Sequence, residues 1–130
     1  MKFTHFDIPN EHGVILLLAI LDRKVAFRLA LDTAATHTTL DSNMLFLSGY
    51  ELKNAKGEVE IETANGAIRV NLYEVHHLEC VGLERNDFEV QVYDFLAHGI
   101  TTDYDGVIGL DFFRNHKFCV DLRIGKLSLD

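Results

Sequence analysis

Leu29-Ala30-Leu31-Asp32-Thr33-Ala34-Ala35-Thr36-His37-Thr38-Thr39-Leu40 sets a carboxylate directly after an apolar run and follows it with small and hydroxyl-bearing residues. In the run before it, Val25, Phe27, Leu29 and Leu31 alternate with Lys24, Ala26, Arg28 and Ala30. That is the period of a strand with one face in a core. Asp32 therefore ends a strand and opens a tight loop. Alone, Asp-Thr-Ala is a common triplet, and a carboxylate so placed caps a turn as readily as it reacts.

Outward from this loop the chain reads as short strands. Val14 to Leu21 is apolar on both faces and predicts a strand buried on each side, joined to Val25–Leu31 through the polar break Asp22-Arg23-Lys24. Mid-chain, Asn65-Gly66 supplies two residues that tolerate positive φ in a type I′ turn. With that pair as the loop, Ala64 faces Ala67, Thr63 faces Ile68, Glu62 faces Arg69, Ile61 faces Val70 and Val59 faces Leu72. Apolar pairs then share one face of a hairpin from about Glu58 to Tyr73. Phe88, Val90 and Val92 mark a further strand, as do Phe118, Val120 and Leu122, and Ile124 to Leu129 reads as a turn and a terminal strand. Helix is scarce: Asp41 is placed to cap a short one through about Ser48, and Leu110 to Asn115 has room for a turn or two. Many short strands separated by turn signals predict an all-β barrel or sandwich.

A second segment, Asp105-Gly106-Val107-Ile108-Gly109-Leu110-Asp111-Phe112-Phe113, precedes the strand Phe118-Cys119-Val120-Asp121-Leu122. The Asp32 loop, the Asn65-Gly66 hairpin and this segment, in that order over residues 24 to 129, resemble one half of a retropepsin-like (clan AA) aspartic protease. The resemblance implies one all-β domain over residues 1–130, a retropepsin-like acid protease barrel of a single lobe with one short C-terminal helix. It implies that Asp32 is catalytic, that the Thr33 hydroxyl crosses a dimer axis, and that the backbone carbonyl of Ala34 meets substrate. Glycine is usual at that last position, and the Cβ of Ala34 narrows the room for backbone approach. Ala35 stands where two-lobed relatives carry Ser or Thr, and Thr36 completes the active-site loop. Ala64, Asn65 and Gly66 correspond to the tip of a substrate-covering flap, and Gly106, Val107, Ile108 and Gly109 to the structural support behind the loop. Because this chemistry needs two carboxylates and the chain has one such loop, the resemblance implies a homodimer cleaving extended polypeptide. The rival reading is a dimeric interaction module that keeps the fold without cleaving.

Composition bounds these readings. The 130 residues are 48% hydrophobic, enough for one continuous core. A net charge of -8 argues against nucleic acid and against an anionic membrane surface as partners. Val14 to Leu21 is far short of the ~20 residues of a membrane-spanning helix, and the N-terminus lacks a secretory signal's apolar core, so a soluble, cytoplasmic protein is expected. No cofactor is implied. The adjacent pair His76-His77 points to opposite faces of a strand, so no metal site is expected there. Cys80 and Cys119 read as small buried hydrophobes, Asp111 as a capping or salt-bridging group, Asp103 and Asp105 as a solvated turn, and His37 as a surface group.

Overall fold

The computed structural model describes every residue except His12 and Asn65. Its strands run in chain order β1 (Lys2–His5), β2 (Leu16–Leu21), β3 (Val25–Leu31), β4 (Thr39–Asp41), β5 (Gly57–Thr63), β6 (Gly66–Cys80), β7 (Leu83–Tyr93), β8 (Gly106–Ile108), β9 (Phe118–Asp121) and β10 (Lys126–Leu129). Pairing runs β2-β3-β8-β4-β7-β6, and β6 returns to β2 through Ala19↔Cys80, Ile20↔Glu79 and Leu21↔Leu78. Those contacts close a six-strand barrel, an all-β architecture as the sequence predicts. Strand β5 hangs from the outside of β6, and β1, β10 and β9 form a separate antiparallel sheet.

The barrel closes around Leu17, Leu21, Leu29, Leu40, Leu78 and Ile108, none more than 1% exposed. Each such side chain contributes about 1.5–3 kcal/mol by leaving water. Strand β3 alternates as expected, with Phe27 and Leu29 buried and Arg28 exposed. Strand β2 does not have two covered faces: Leu18 is 62% exposed. Its outer face, with Arg28 beside it, opens on a cavity of about 870 Å³ along the N-terminal segment.

The β2–β3 connection is the three-residue turn 22–24, in which Asp22 and Arg23 hold φ of 52° and 62°, and Lys24 N–H donates to the Leu21 carbonyl at 3.1 Å. Positive φ costs a non-glycine residue energy, and here the Asp22 carboxylate offsets it by accepting from Tyr50 Oη at 2.9 Å and from His77 N–H at 3.0 Å. The Tyr50 hydroxyl also accepts from His76 N–H at 3.0 Å.

The β5–β6 hairpin forms in a different register from the expected one. Thr63 pairs with Gly66, Ile61 with Ile68, Glu60 with Arg69 and Val59 with Val70, so the last pair before the turn is Thr63 with Gly66 and not Ala64 with Ala67. Gly66 takes φ of 107° at the start of β6, and the Thr63 hydroxyl donates to its carbonyl at 2.7 Å. Both registers put the same side chains on the same face, because they differ by two residues; alternation cannot tell them apart.

Two other expectations are adjusted. The α-helix α1 (Ser42–Leu47) lies where the sequence puts it, but the Asp41 carboxylate does not cap it. It accepts instead from Phe95 N–H at 3.1 Å and from Asn43 Nδ2 at 3.4 Å, tying β4 to the end of β7. The helix expected at the C-terminal end is a succession of turns from Leu110 to Asn115, with Phe113 N–H on Leu110 O and His116 N–H on Phe113 O. Asn115, at φ of 68°, turns the chain out before a helix can propagate. Among the described residues no helix is long and apolar enough to cross a membrane.

Candidate active site

The parallel pairing of β3 with β8, Ala30↔Val107 and Leu31↔Ile108, delivers Asp32 to the barrel's rim. Its N–H extends that ladder by donating to Ile108 O at 3.1 Å. The chain then folds back on itself: Ala35 N–H donates to Asp32 O at 3.1 Å, and Ala34 N–H to Asp32 Oδ1 at 3.0 Å. The carboxylate is thus held through one oxygen by its own loop. Oδ2 has no hydrogen-bond donor among the described residues, and the side chain is half-buried. Thr33, Ala34 and Thr36 are exposed at the loop's tip and Ala35 is half-buried. The Thr36 hydroxyl lies 2.9 Å from His37 Nδ1, so it is occupied away from Asp32.

Behind the loop lies Gly106-Val107-Ile108-Gly109. A Cβ on Gly106 would collide with the Thr39 carbonyl, and one on Gly109 would sit 2.7 Å from Ala35 O and 2.9 Å from the His37 carbonyl carbon. Only glycine lets this segment pass so close beneath the loop. Leu110 N–H donates to Ala35 O at 2.9 Å, joining the two.

Asp111 does more than cap a turn. Its carboxylate accepts from Thr38 N–H at 3.0 Å, from Thr38 Oγ1 at 2.8 Å and from Phe112 N–H at 2.9 Å. Thr38 is fully buried, and its hydroxyl in turn accepts from Gly109 N–H at 3.2 Å. The loop that starts at Asp32 is therefore fastened at its far end to the Gly109–Asp111 turn. The sequence carries no direct sign of this pairing across 73 positions, although an acid after Gly-Leu and a threonine at the end of the loop are its components. Asp103 is exposed as expected, whereas Asp105 is half-buried, its N–H on Arg28 O and its carbonyl receiving Asp41 N–H, both at 2.8 Å.

A cleft of about 590 Å³ opens between the loop and the β5–β6 hairpin. Ala34, Ala35, Thr36 and His37 form one wall, and Val59, Glu60, Ile61 and Glu62 of β5 the other. Sequence reasoning left His37 and the β5 strand out of the site, since alternation on β5 shows which side chains share a face and not what that face meets. Of the flap-tip residues, Ala64 and Gly66 lie exposed at the end of this hairpin, and Asn65 lies outside the described residues.

Residues 19–112 match the family model of the aspartyl proteases. The chain belongs to that family. The match runs from within β2 through the Asp32 loop, the hairpin and β8 to Phe112, so it covers every part of the site described above and the barrel except the first half of β2. The structure is similar to that of a retropepsin-like aspartic protease from Rickettsia conorii, with a TM-score of 0.69 and 19% identity over 100% of this chain and 99% of that one. No curated protein sequence matches the chain. Neither cysteine lies in the cleft lining. Cys80 is buried, and its thiol is pushed up to about 12 by burial. Cys119 is exposed, contrary to expectation: Phe118 turns inward to Phe113, ring centroids 4.8 Å apart, which points the next side chain outward. Among the described residues no group of His, Cys, Asp and Glu could hold a metal ion.

Proposed function

We propose that the chain is an aspartic endopeptidase whose active form is a homodimer, with the Asp32 carboxylates of two copies meeting at the axis. The observation that carries this reading is the state of Asp32: an exposed loop holds one oxygen and, among the described residues, nothing donates to the other, while Asp111, the other acid fastened to that loop, spends its carboxylate on Thr38 and Phe112. A water between two such carboxylates loses a proton to one of them as it attacks the scissile carbonyl, and the other donates a hydrogen bond or proton to that carbonyl's oxygen. Thr33, exposed beside Asp32, fits a contact between the two loops. Ala34 and the β5–β6 hairpin flank an extended substrate, with Ala64, Asn65 and Gly66 at the covering tip. The sheet β1-β10-β9 supports pairing of copies: its outer strands leave an edge open, and Phe3 and Val120 are exposed on it.

The test is the Asp32→Asn variant, assayed for cleavage of unfolded protein and of short peptides. Wild type should cleave and the variant should not, with unchanged melting temperature, because the amide neither accepts the proton nor shares it. Cleavage by purified Asp32→Asn would remove Asp32 from the mechanism. Peptide binding without cleavage by wild type would assign the fold to an interaction module.

A further inference from the structure

The strand register shows which side chains floor the cleft. Gln91 of β7 is the antiparallel partner of Leu72 on β6 and the parallel partner of Thr39 on β4, and partners across a ladder carry their side chains on the same face. All three line the cleft, as does Glu89, two residues before Gln91 on that face.

The other polar side chains on this floor and in the facing loop are already engaged. The Thr36 hydroxyl bonds His37 Nδ1 at 2.9 Å, and the Glu89 carboxylate holds the Lys56 ammonium at 2.8 Å. Gln91 and Thr39 differ. Gln91 is half-buried and Thr39 is buried, yet neither the carboxamide nor the hydroxyl has a hydrogen bond among the described residues. Their backbone, by contrast, is held firmly: Gln91 N–H donates to the Thr38 carbonyl at 3.0 Å, and Thr38 is the residue that Asp111 fastens at the far end of the Asp32 loop. The two unpaired groups therefore stand on neighbouring strands at a set position relative to Asp32. Around them Leu72, Ala35, Val59 and Ile61 offer only apolar side chains.

We propose that Gln91 and Thr39 form a polar subsite that selects substrate polypeptide carrying a carboxamide side chain, Asn or Gln, at one position. A carboxamide has an acceptor oxygen and a donor nitrogen, so it can pair with the Gln91 amide in both directions and still accept from the Thr39 hydroxyl. A carboxylate only accepts and is repelled by Glu89; an ammonium only donates and finds Glu89 already paired with Lys56. An aliphatic side chain would cover both groups and pair neither, which is how a site built for hydrogen bonds rejects an apolar analogue.

This rests on reading the cleft as the substrate site of an endopeptidase, and the test separates the two. Eight-residue peptides are made in pairs, identical except at one of the four central residues, which is Asn in one member and its near isostere Leu in the other. Their kcat/KM values are measured for wild type, Gln91→Met and Thr39→Val, and their affinities by calorimetry for Asp32→Asn with and without Gln91→Met. At one position wild type should favour Asn about ten-fold, the product of two net hydrogen bonds at about three-fold each. Gln91→Met keeps the length of the side chain and should reverse the preference to Leu, whereas Thr39→Val should reduce it to about three-fold. Each variant replaces an unpaired polar group with an apolar one of similar shape, so both should keep the fold, as melting curves will verify. No preference for Asn at any of the four positions, or a preference that survives Gln91→Met, overturns the inference. If no peptide is cleaved, tighter binding of an Asn peptide to Asp32→Asn that Gln91→Met abolishes sustains the subsite and refutes the endopeptidase. Binding that does not distinguish the members of any pair, or no binding, refutes both.

Discussion

Asp32 and Asp111 carry the same side chain and are fastened to the same loop, yet their surroundings give them different work. Among the described residues Asp32 accepts one backbone N–H on one oxygen and nothing on the other, whereas Asp111 is filled by Thr38 and Phe112. Asp111→Ala would leave the N–H and hydroxyl of fully buried Thr38 without an acceptor. It should lower stability by about 2–3 kcal/mol in urea unfolding. It should also reduce kcat more than it raises KM, because the loop carrying Asp32 loosens. Asp111→Asn retains an acceptor oxygen and should lose less of both. The cysteines divide in the same manner. With its thiol pushed up to about 12 and no exposure, Cys80 should resist iodoacetamide at pH 8, while exposed Cys119 should react completely. Mass mapping of the alkylated protein decides, and alkyl groups on Cys80 in the folded state would contradict the burial described.

Elements are tied together at a few side chains, and Tyr50 is one of them. It follows α1, stacks on His76 of β6 with ring centroids 5.6 Å apart, and bonds the Asp22 turn between β2 and β3. Burial, with the nearby Asp22 carboxylate adding to it, pushes its pKa up to about 12. An unfolded tyrosine ionises near pH 10, so between pH 10 and about 12 the unfolded chain releases a proton that the folded chain keeps. The stability contributed is therefore complete below pH 10 and is lost as pH rises toward 12. Tyr73 and Tyr93, also raised by burial, act in the same direction. Urea midpoints should fall across that range for wild type and fall less for Tyr50→Phe; parallel curves would show that Tyr50 plays no part. The β5–β6 hairpin illustrates the converse at this scale. Its strands were legible from alternation, but its register was not, because a two-residue slide exchanges no side chain between faces.

At the scale of the whole molecule, the barrel and the terminal sheet divide the labour. The barrel presents Asp32 at its rim, while the sheet β1-β10-β9 brings both ends of the chain together and leaves open edges. If two copies supply one carboxylate each, specific activity should fall on dilution below the dimer dissociation constant and return on concentration. Sedimentation under assay conditions checks this, and full activity in a sedimenting monomer would refute the shared site.

What the sequence determined by itself was local: the strand ending at Asp32, the small residues of its loop, the glycines at 106 and 109, and the absence of long helix. Period-two alternation and the conformational demands of single residues act between near neighbours, so they can be read along the chain. The tertiary structure alone decided which groups meet across long separations. Thr38 finds Asp111 73 positions away, β2 closes the barrel on β6, and β5 lies across a cleft from the loop that follows Asp32. It also decided that Leu18 and Cys119 stay open to solvent. Alternation shows which side chains share a face, and only the packing of other layers determines whether that face is covered.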